Sequence, residues 1–321
     1  MYQSAVGLFA SSSPQEYASR FALLISSPWR PVVWTVLFLL VNMLVLRRGV
    51  EKGIERIGNV LMPCLALLLL VFCINSLMMP SAGEGLSFLF HPDFTALTPG
   101  VVIGAMGRAF FTMSLGLTGM LTYASYFSDR TPLVRSAVIT AVLDTAVALV
   151  AGMIIFPAVF SYGLEPEAGP KLVFETLPSV FAQMPGGHLW SLAFFVLLFF
   201  ASLTSTISMS EISISYLCDE RKMGRDGAAL LNTGVCMVLG VLCALSFGPL
   251  ADVKVFGMTI FDLFDTVSSN LLLPVGGLLM SVFVGWAVPG VLHSQLGRTA
   301  RVLVPLLRWV CPAAILIILL V

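Results

Sequence analysis

Residues 110–126 read FFTMSLGLTGMLTYASY, a stretch apolar enough for a bilayer that still gathers Thr112, Ser114, Gly116, Thr118 and Gly119 at its centre. Gly inside a helix costs about 1 kcal/mol relative to Ala, and Ser and Thr offer the backbone alternative hydrogen-bond partners. A helix break near Ser114–Leu117 is therefore expected. Backbone freed at membrane depth is tolerated only where it meets protein, water or a ligand. One reading of the stretch is a polar binding point for an ion or substrate. The other is close helix packing through small residues, which needs no ligand.

The rest of the 321-residue chain supports a membrane setting. It is 58% apolar and 11% charged, with a mean hydropathy of +0.98. Soluble domains carry about 25% charged residues, so this surface is built for lipid. Seventeen basic side chains balance seventeen acidic ones, leaving no excess to neutralise phosphates and arguing against a nucleic-acid partner. Cys64, Cys73, Cys218, Cys236, Cys243 and Cys311 are scattered, without the spacing of a zinc site or disulfide scaffold. His91, His188 and His293 are too far apart in sequence to suggest a histidine metal cage.

Working outward from residue 110, eight apolar runs are long enough to be read as spans, since about 20 residues of helix cross the hydrocarbon core. They fall at residues 31–46, 60–78, 101–127, 136–160, 188–217, 228–247, 259–288 and 302–321. Their continuity favours helices over barrel strands, which need only about 10 alternating residues. The fold class expected is an all-α polytopic membrane protein. Residues 1–30 read as an external N-terminal tail, and 31–321 as a membrane helical bundle.

Lys and Arg test the layout independently, because cytoplasmic connections hold their excess. Eleven of the seventeen lie in alternate connections: Arg47, Arg48, Lys52 and Arg56; Arg130 and Arg135; Arg221, Lys222 and Arg225; Arg298 and Arg301. Arg108 and Arg308 lie in or beside spans. The N-terminal tail and the C-terminus at Val321 are thus expected outside. Two long external connections carry amphipathic runs, GLSFLF at 85–90 and LVFETLPSVFAQM at 172–184, of the kind that packs over the entrance of a bundle.

Several polar side chains are unexpected in plain anchors. Asp144 is the only acid of its run, and an intramembrane carboxylate costs at least about 2.5 kcal/mol, so it tends to face a cation, a partner or a water path. Residues 199–213 read FFASLTSTISMSEIS. There the hydroxyls of Thr204 and Ser205 can join the Ala201 carbonyl as three hard oxygen ligands for a small cation. Such hydroxyls also commonly bond back to their own helix. Glu211 suits a packing or gating partner better than an ion ligand. Asp262 and Asp265 stand one turn apart at the outer end of the seventh run, either as a gate facing a base or as ordinary acids at a helix N-terminus.

Taken together, RGVEKGIERIGNVLMP at 48–63, the broken stretch at 110–127, IFPAVFSYGLEPEAGPKLVFETLPSVFAQMPGG at 155–187 and FFASLTSTISMSEISISYL at 199–217 resemble the bacterial branch of the neurotransmitter:sodium symporter family, in the family's own order. The resemblance implies an inverted-repeat fold in which the eight runs are helices four to eleven. The first two helices and most of the third lack counterparts. It further implies that Phe111, Thr112, Ser114, Leu117, Ser205 and Met209 bind substrate. Thr112 and Asp144 would belong to a first sodium site, and Ala201, Thr204 and Ser205 to a second. Asp144 falls where the family usually has Asn or a related polar residue. One reading of this acid is that it replaces a chloride requirement.

The function implied is sodium-coupled symport of an amino acid or related small amine, with sodium as the co-transported ion and lipid as the surroundings. No nucleophile and base converge in the runs, which argues against a membrane enzyme. In the family the first helix supplies half of both sodium sites, so a chain of this extent is expected to be a piece of a longer protein. A non-transporting remnant or regulatory membrane protein is the alternative.

Overall fold

The computed structural model describes residues 22–48, 56–91, 93–125, 131–161, 173–174, 177–184 and 186–320. The N-terminal tail up to residue 21 and most of the 172–184 run's approach lie outside them. The described chain is helical, with one isolated antiparallel bridge between Val255 and Met258. Fourteen helices matter here: α1 Arg30–Leu46, α2 Arg56–Leu77, α3 Ala82–Phe90, α4 Pro99–Thr112, α5 Gly119–Ser125, α6 Leu133–Ser161, α7 Leu177–Gln183, α8 Gly187–Asp219, α9 Arg225–Leu245, α10 Ile260–Thr266, α11 Leu273–Val282, α12 Pro289–Leu296, α13 Ala300–Pro305 and α14 Cys311–Leu320. Six continuous segments are long and apolar enough to cross a membrane, namely Gly58–Leu77, Leu133–Ser161, Gly187–Asp219, Arg225–Leu245, Ile260–Ala287 and Ala300–Leu320.

The other two expected runs are present in altered form. α1 is apolar but only 17 residues long, about 25 Å at 1.5 Å per residue. The 101–127 run is divided into α4 and α5 by the six residues between Thr112 and Gly119. Local chemistry sets several starts: Thr98 accepts from the Val101 N–H ahead of Pro99 at the head of α4, and Thr259 accepts from the Asp262 N–H at the head of α10.

The chain divides into two compact units. One takes in the described residues up to Pro92 together with Val147–Lys254, and the other takes in Asp93–Ala146 together with Val255–Val321.

In the first unit, α1 runs antiparallel to α9. A side chain at Gly240 would sit 3.1 Å from Thr35 near one end, and Arg225 Nε donates to the Leu46 carbonyl at 3.0 Å near the other. Val45 and Leu46 of α1, Leu203, Ile207 and Ile214 of α8, and the fully buried Ala228 and Ala229 of α9 form one core. Small residues let the backbones approach, which is how helices gain contact when lipid removes the hydrophobic drive between them. A second core joins Phe72 of α2, Ala158 of α6 and Leu177, Val180 and Phe181 of α7, with the Phe72 ring 5.3 Å from that of Trp190. The GLSFLF run forms most of α3. A Cβ at Gly85 would lie 2.3 Å from the Pro157 nitrogen, so α3 rests directly on the α6 backbone, with Phe88 against Phe156 and Phe160.

In the second unit, α10 continues through a π-helical turn at Val267–Leu272 into α11 and a second π turn at Phe283–Ala287, and α13 passes into α14 through a third at Leu306–Val310. A π turn releases carbonyls from the regular ladder. Here Gly285 O accepts from Arg308 Nε at 2.6 Å and Leu307 O accepts from Ser281 Oγ at 2.8 Å, so each facing helix lends a carbonyl to the other.

Candidate functional site

The interrupted helix organises the candidate site. Ser114, Gly116 and Thr118 all have positive φ, at 52°, 97° and 58°. Residues other than Gly rarely adopt this region, and each costs on the order of 1–3 kcal/mol. Thr112 Oγ1 donates back to the Ala109 carbonyl at 3.2 Å, ending α4. The Ser114 and Leu117 amides then donate to Phe111 and Ser114 carbonyls, making tight turns in place of a helical ladder.

This unwound segment lies against the backbone of α11. A Cβ at Gly116 would fall 2.1 Å from the Leu273 carbonyl oxygen, one at Gly276 would fall 2.5 Å from the Gly116 oxygen, and one at Gly277 would fall 2.3 Å from the end of the Phe110 ring. The expected break and the close packing through small residues occur in the same place: the helix is interrupted, and glycines pack it against a neighbour. Gly276 and Gly277 were missed as part of the site. Their pairing in PVGGLL at 274–279 was the available signal.

Beside the break is a cavity of about 710 Å³ lined by Arg108, Phe111, Asp265, Ser269 and Asn270 among others. It brings together the substrate candidate Phe111 and the gate candidate Asp265. No ion pair joins Arg108 to Asp265 among the described residues. The two gate candidates differ in their contacts. Asp262 is engaged at the head of α10, where its Oδ2 accepts from Thr259 Oγ1 at 2.7 Å while its own N–H donates to that oxygen at 3.2 Å, a reciprocal cap. Asp265 faces the cavity and accepts from Ser269 Oγ at 3.4 Å. Leu117 lies half-buried in the break. Asp144, in α6, is also half-buried, and its carboxylate has no hydrogen bond or ion pair among the described residues.

The second group of candidates lies on α8, in the other unit. Thr204 Oγ1 donates to the Phe200 and Ala201 carbonyls at 3.1 and 2.9 Å. Ser202, Thr206 and Ser208 likewise bond one turn back, to Leu198, Ser202 and Thr204. These bonds satisfy the donors and keep α8 continuous. They leave hydroxyl lone pairs and the adjacent Ala201 oxygen as acceptors. Ser205 and Met209 share the exposed side of α8.

Glu211 is fully buried and is gripped by Arg225, whose Nη1 and Nη2 donate to Oε1 and Oε2 at 3.0 and 2.6 Å. Arg47 Nε meets Asp226 Oδ1 at 2.8 Å nearby. Together they fasten the end of α1 to the start of α9 and to α8. This role agrees with Glu211 as a packing partner. Asn42, 2% exposed, holds both polar side-chain atoms without partners among the described residues.

Several helices of membrane-crossing length and apolarity, beside one apolar run that is interrupted, give the chain the make-up of a multi-pass membrane protein. Residues 10–294 match the model of the sodium:neurotransmitter symporter family. The chain belongs to that family, which is one of transporters rather than enzymes. It is 40% identical over 282 residues to the uncharacterized sodium-dependent transporter YhdH of Bacillus subtilis (strain 168), covering 88% of this chain and 62% of the relative. It is 36% identical over 299 residues to an uncharacterized sodium-dependent transporter of Haemophilus influenzae, covering 91% and 65%. The chain therefore spans about three fifths to two thirds of the length of these relatives. Among solved structures, MhsT in complex with L-phenylalanine superposes with a TM-score of 0.89 at 38% identity, covering 99% of this chain and 74% of that one.

Proposed function

We propose that this chain carries the substrate-binding helix break and ion-site residues of a sodium-coupled symporter for an amino acid or related small amine. The observation that carries the reading is the unwound segment from Met113 to Thr118, held open against α11 beside a polar-rimmed cavity. The family's sodium dependence and the amino acid bound to MhsT support the same reading. Phe111, Thr112, Ser114 and Leu117 on the broken segment, with Ser205 and Met209 on α8, are assigned to substrate. Thr112 and Asp144 are assigned to one sodium, and Ala201, Thr204 and Ser205 to a second. The donated hydroxyl hydrogens of Thr112 and Thr204 point to carbonyls, which leaves their oxygens free to face a cation. Asp265, with Arg108 on the same cavity, is assigned to the gate, and the C-terminus is placed outside.

Coupling in such a protein is differential affinity. Sodium favours the conformation that binds substrate more tightly, and substrate in turn raises sodium affinity by the same factor. The test is radiolabelled amino-acid binding across a sodium titration, followed by uptake into proteoliposomes. Sodium-dependent binding that is weakened in Thr204→Ala and Asp144→Ala is expected. Binding that is indifferent to sodium and to both substitutions would overturn the assignment.

A further inference from the structure

The described residues hold one arginine at a span-to-span contact whose charge the transport reading leaves unused. Arg308 sits in the π turn of Leu306–Val310. Its Nε donates to Gly285 O at 2.6 Å, and its guanidinium carbon is 5.7 Å from the centroid of the Trp286 ring. Trp286 donates from Nε1 to the Arg308 carbonyl at 3.3 Å and meets Trp309 edge-on at 5.0 Å. A Cβ at Gly285 would lie 3.1 Å from the Arg308 side chain, so this glycine gives the stem its place. The guanidinium is thereby oriented through one nitrogen. Nη1 and Nη2 have no hydrogen-bond or carboxylate partner among the described residues.

The last part of the sequence carries no acid. No Asp or Glu follows Asp265 in the sequence, while Arg298, Arg301 and Arg308 do. Arg301 is exposed two turns before Arg308 in the same helical segment. Trp286 and Trp309 are 50% and 65% exposed, and Trp is the side chain that settles at the headgroup level of a bilayer, with its ring in the apolar edge and its N–H toward the polar one. Arg308 is eight residues inside the Ala300–Leu320 segment but touches Trp286 at the end of the Ile260–Ala287 segment, and long basic side chains extend toward the headgroup level. Two parallel N–H groups on a fixed guanidinium match two phosphate oxygens.

We propose that Arg308, flanked by Trp286 and Trp309 and assisted by Arg301, forms a binding site for the phosphate of an anionic membrane phospholipid. Phosphate is the recognised chemistry, and the exposed tryptophans choose a lipid over a free anion. The site stands on geometry independent of the sodium and substrate assignments.

The experiment reconstitutes the full chain in nanodiscs of phosphatidylcholine with graded phosphatidylglycerol and counts retained lipid by native mass spectrometry after transfer to detergent. Wild type is expected to retain phosphatidylglycerol in preference to phosphatidylcholine. Arg308→Gln is expected to lower that retention about fivefold, Arg301→Gln by less, and millimolar inorganic phosphate is expected to leave it unchanged. Equal retention of both lipids by wild type, unaltered retention in Arg308→Gln, or displacement by inorganic phosphate would each overturn the proposal. Thermal unfolding in pure phosphatidylcholine checks folding. If Arg308→Gln does not fold, Trp309→Leu carries the test: reduced phosphatidylglycerol preference supports the site, and unchanged preference rejects it. Omitting sodium should not alter any of these results, which separates this test from that of the transport assignment.

Discussion

The helix α8 and the broken pair α4 and α5 draw on the same residue types and fold in opposite ways. Along α8, five Ser and Thr residues between Ser202 and Ser208 leave the helix intact, because most of their hydroxyls bond to carbonyls one turn back. Between α4 and α5, Thr112, Ser114 and Thr118 accompany an interruption with three positive φ values. Hydroxyls therefore do not break a membrane helix by themselves. Gly116 on one side and Gly276 and Gly277 on the other remove the side chains that would keep the backbones apart, and contact with α11 replaces the helical bonds. The unbroken region is also pinned by an internal ion pair, whereas the broken one presents Asp265 to a cavity.

The largest test of this contrast is at the ion pair. Arg225→Ala removes both guanidinium donors from the fully buried Glu211 and should destabilise by about 3–5 kcal/mol, read as a fall in thermal midpoint in detergent. Glu211→Ala should cost less, since Arg225 keeps 28% of its side chain exposed and can turn toward water. An equal loss in both would mean that the buried acid is not the sensitive partner. Next, Gly116→Ala combines positive φ with overlap on the Leu273 carbonyl, and about 1–3 kcal/mol is expected. Gly277→Ala meets only a ring edge and should fall at or below the lower end of that range. If the two glycines ranked the other way in the same thermal assay, the backbone contact would not be what holds the break.

A smaller effect is expected from Thr259→Ala, which removes the reciprocal cap with Asp262 and should cost about 1 kcal/mol. Asp265→Asn should leave that stability unchanged and alter substrate binding instead. The least effect concerns Asp93, whose carboxylate is held below the usual range first by the Thr95 hydroxyl and then by the Thr95 N–H. With the folded value depressed, the turn at Phe94–Ala96 gains its support above the unfolded carboxyl value of about 3.9 and loses it as pH falls through the lower folded value. A carbon-13 titration of the Asp93 carboxyl checks the direction.

Six of the eight runs were legible as continuous membrane-length helices because about 20 uninterrupted apolar residues have few fates other than a span. The break at Ser114–Leu117 was legible because Gly, Ser and Thr there opposed an otherwise helical stretch. The roles of Asp262 and Asp265 were not separable, since acids one turn apart at a helix start look alike until one is seen to cap and the other to face a cavity. The glycine pair at 276 and 277 lay more than 150 residues from the segment it supports, as the numbering shows. The facing π turns gave no local pattern at all.

Composition, the spacing of apolar runs and the position of helix-weakening residues determined the membrane class, the spans and the point of interruption, because each depends on the chain's local chemistry and the solvent around it. Tertiary structure decided which glycines replace the lost helical bonds, which acid reaches a cavity, which cation clasps Glu211 and where Arg308 is left with two unspent donors. Those outcomes depend on atoms brought within a few ångströms from distant parts of the sequence, and only packing sets such distances.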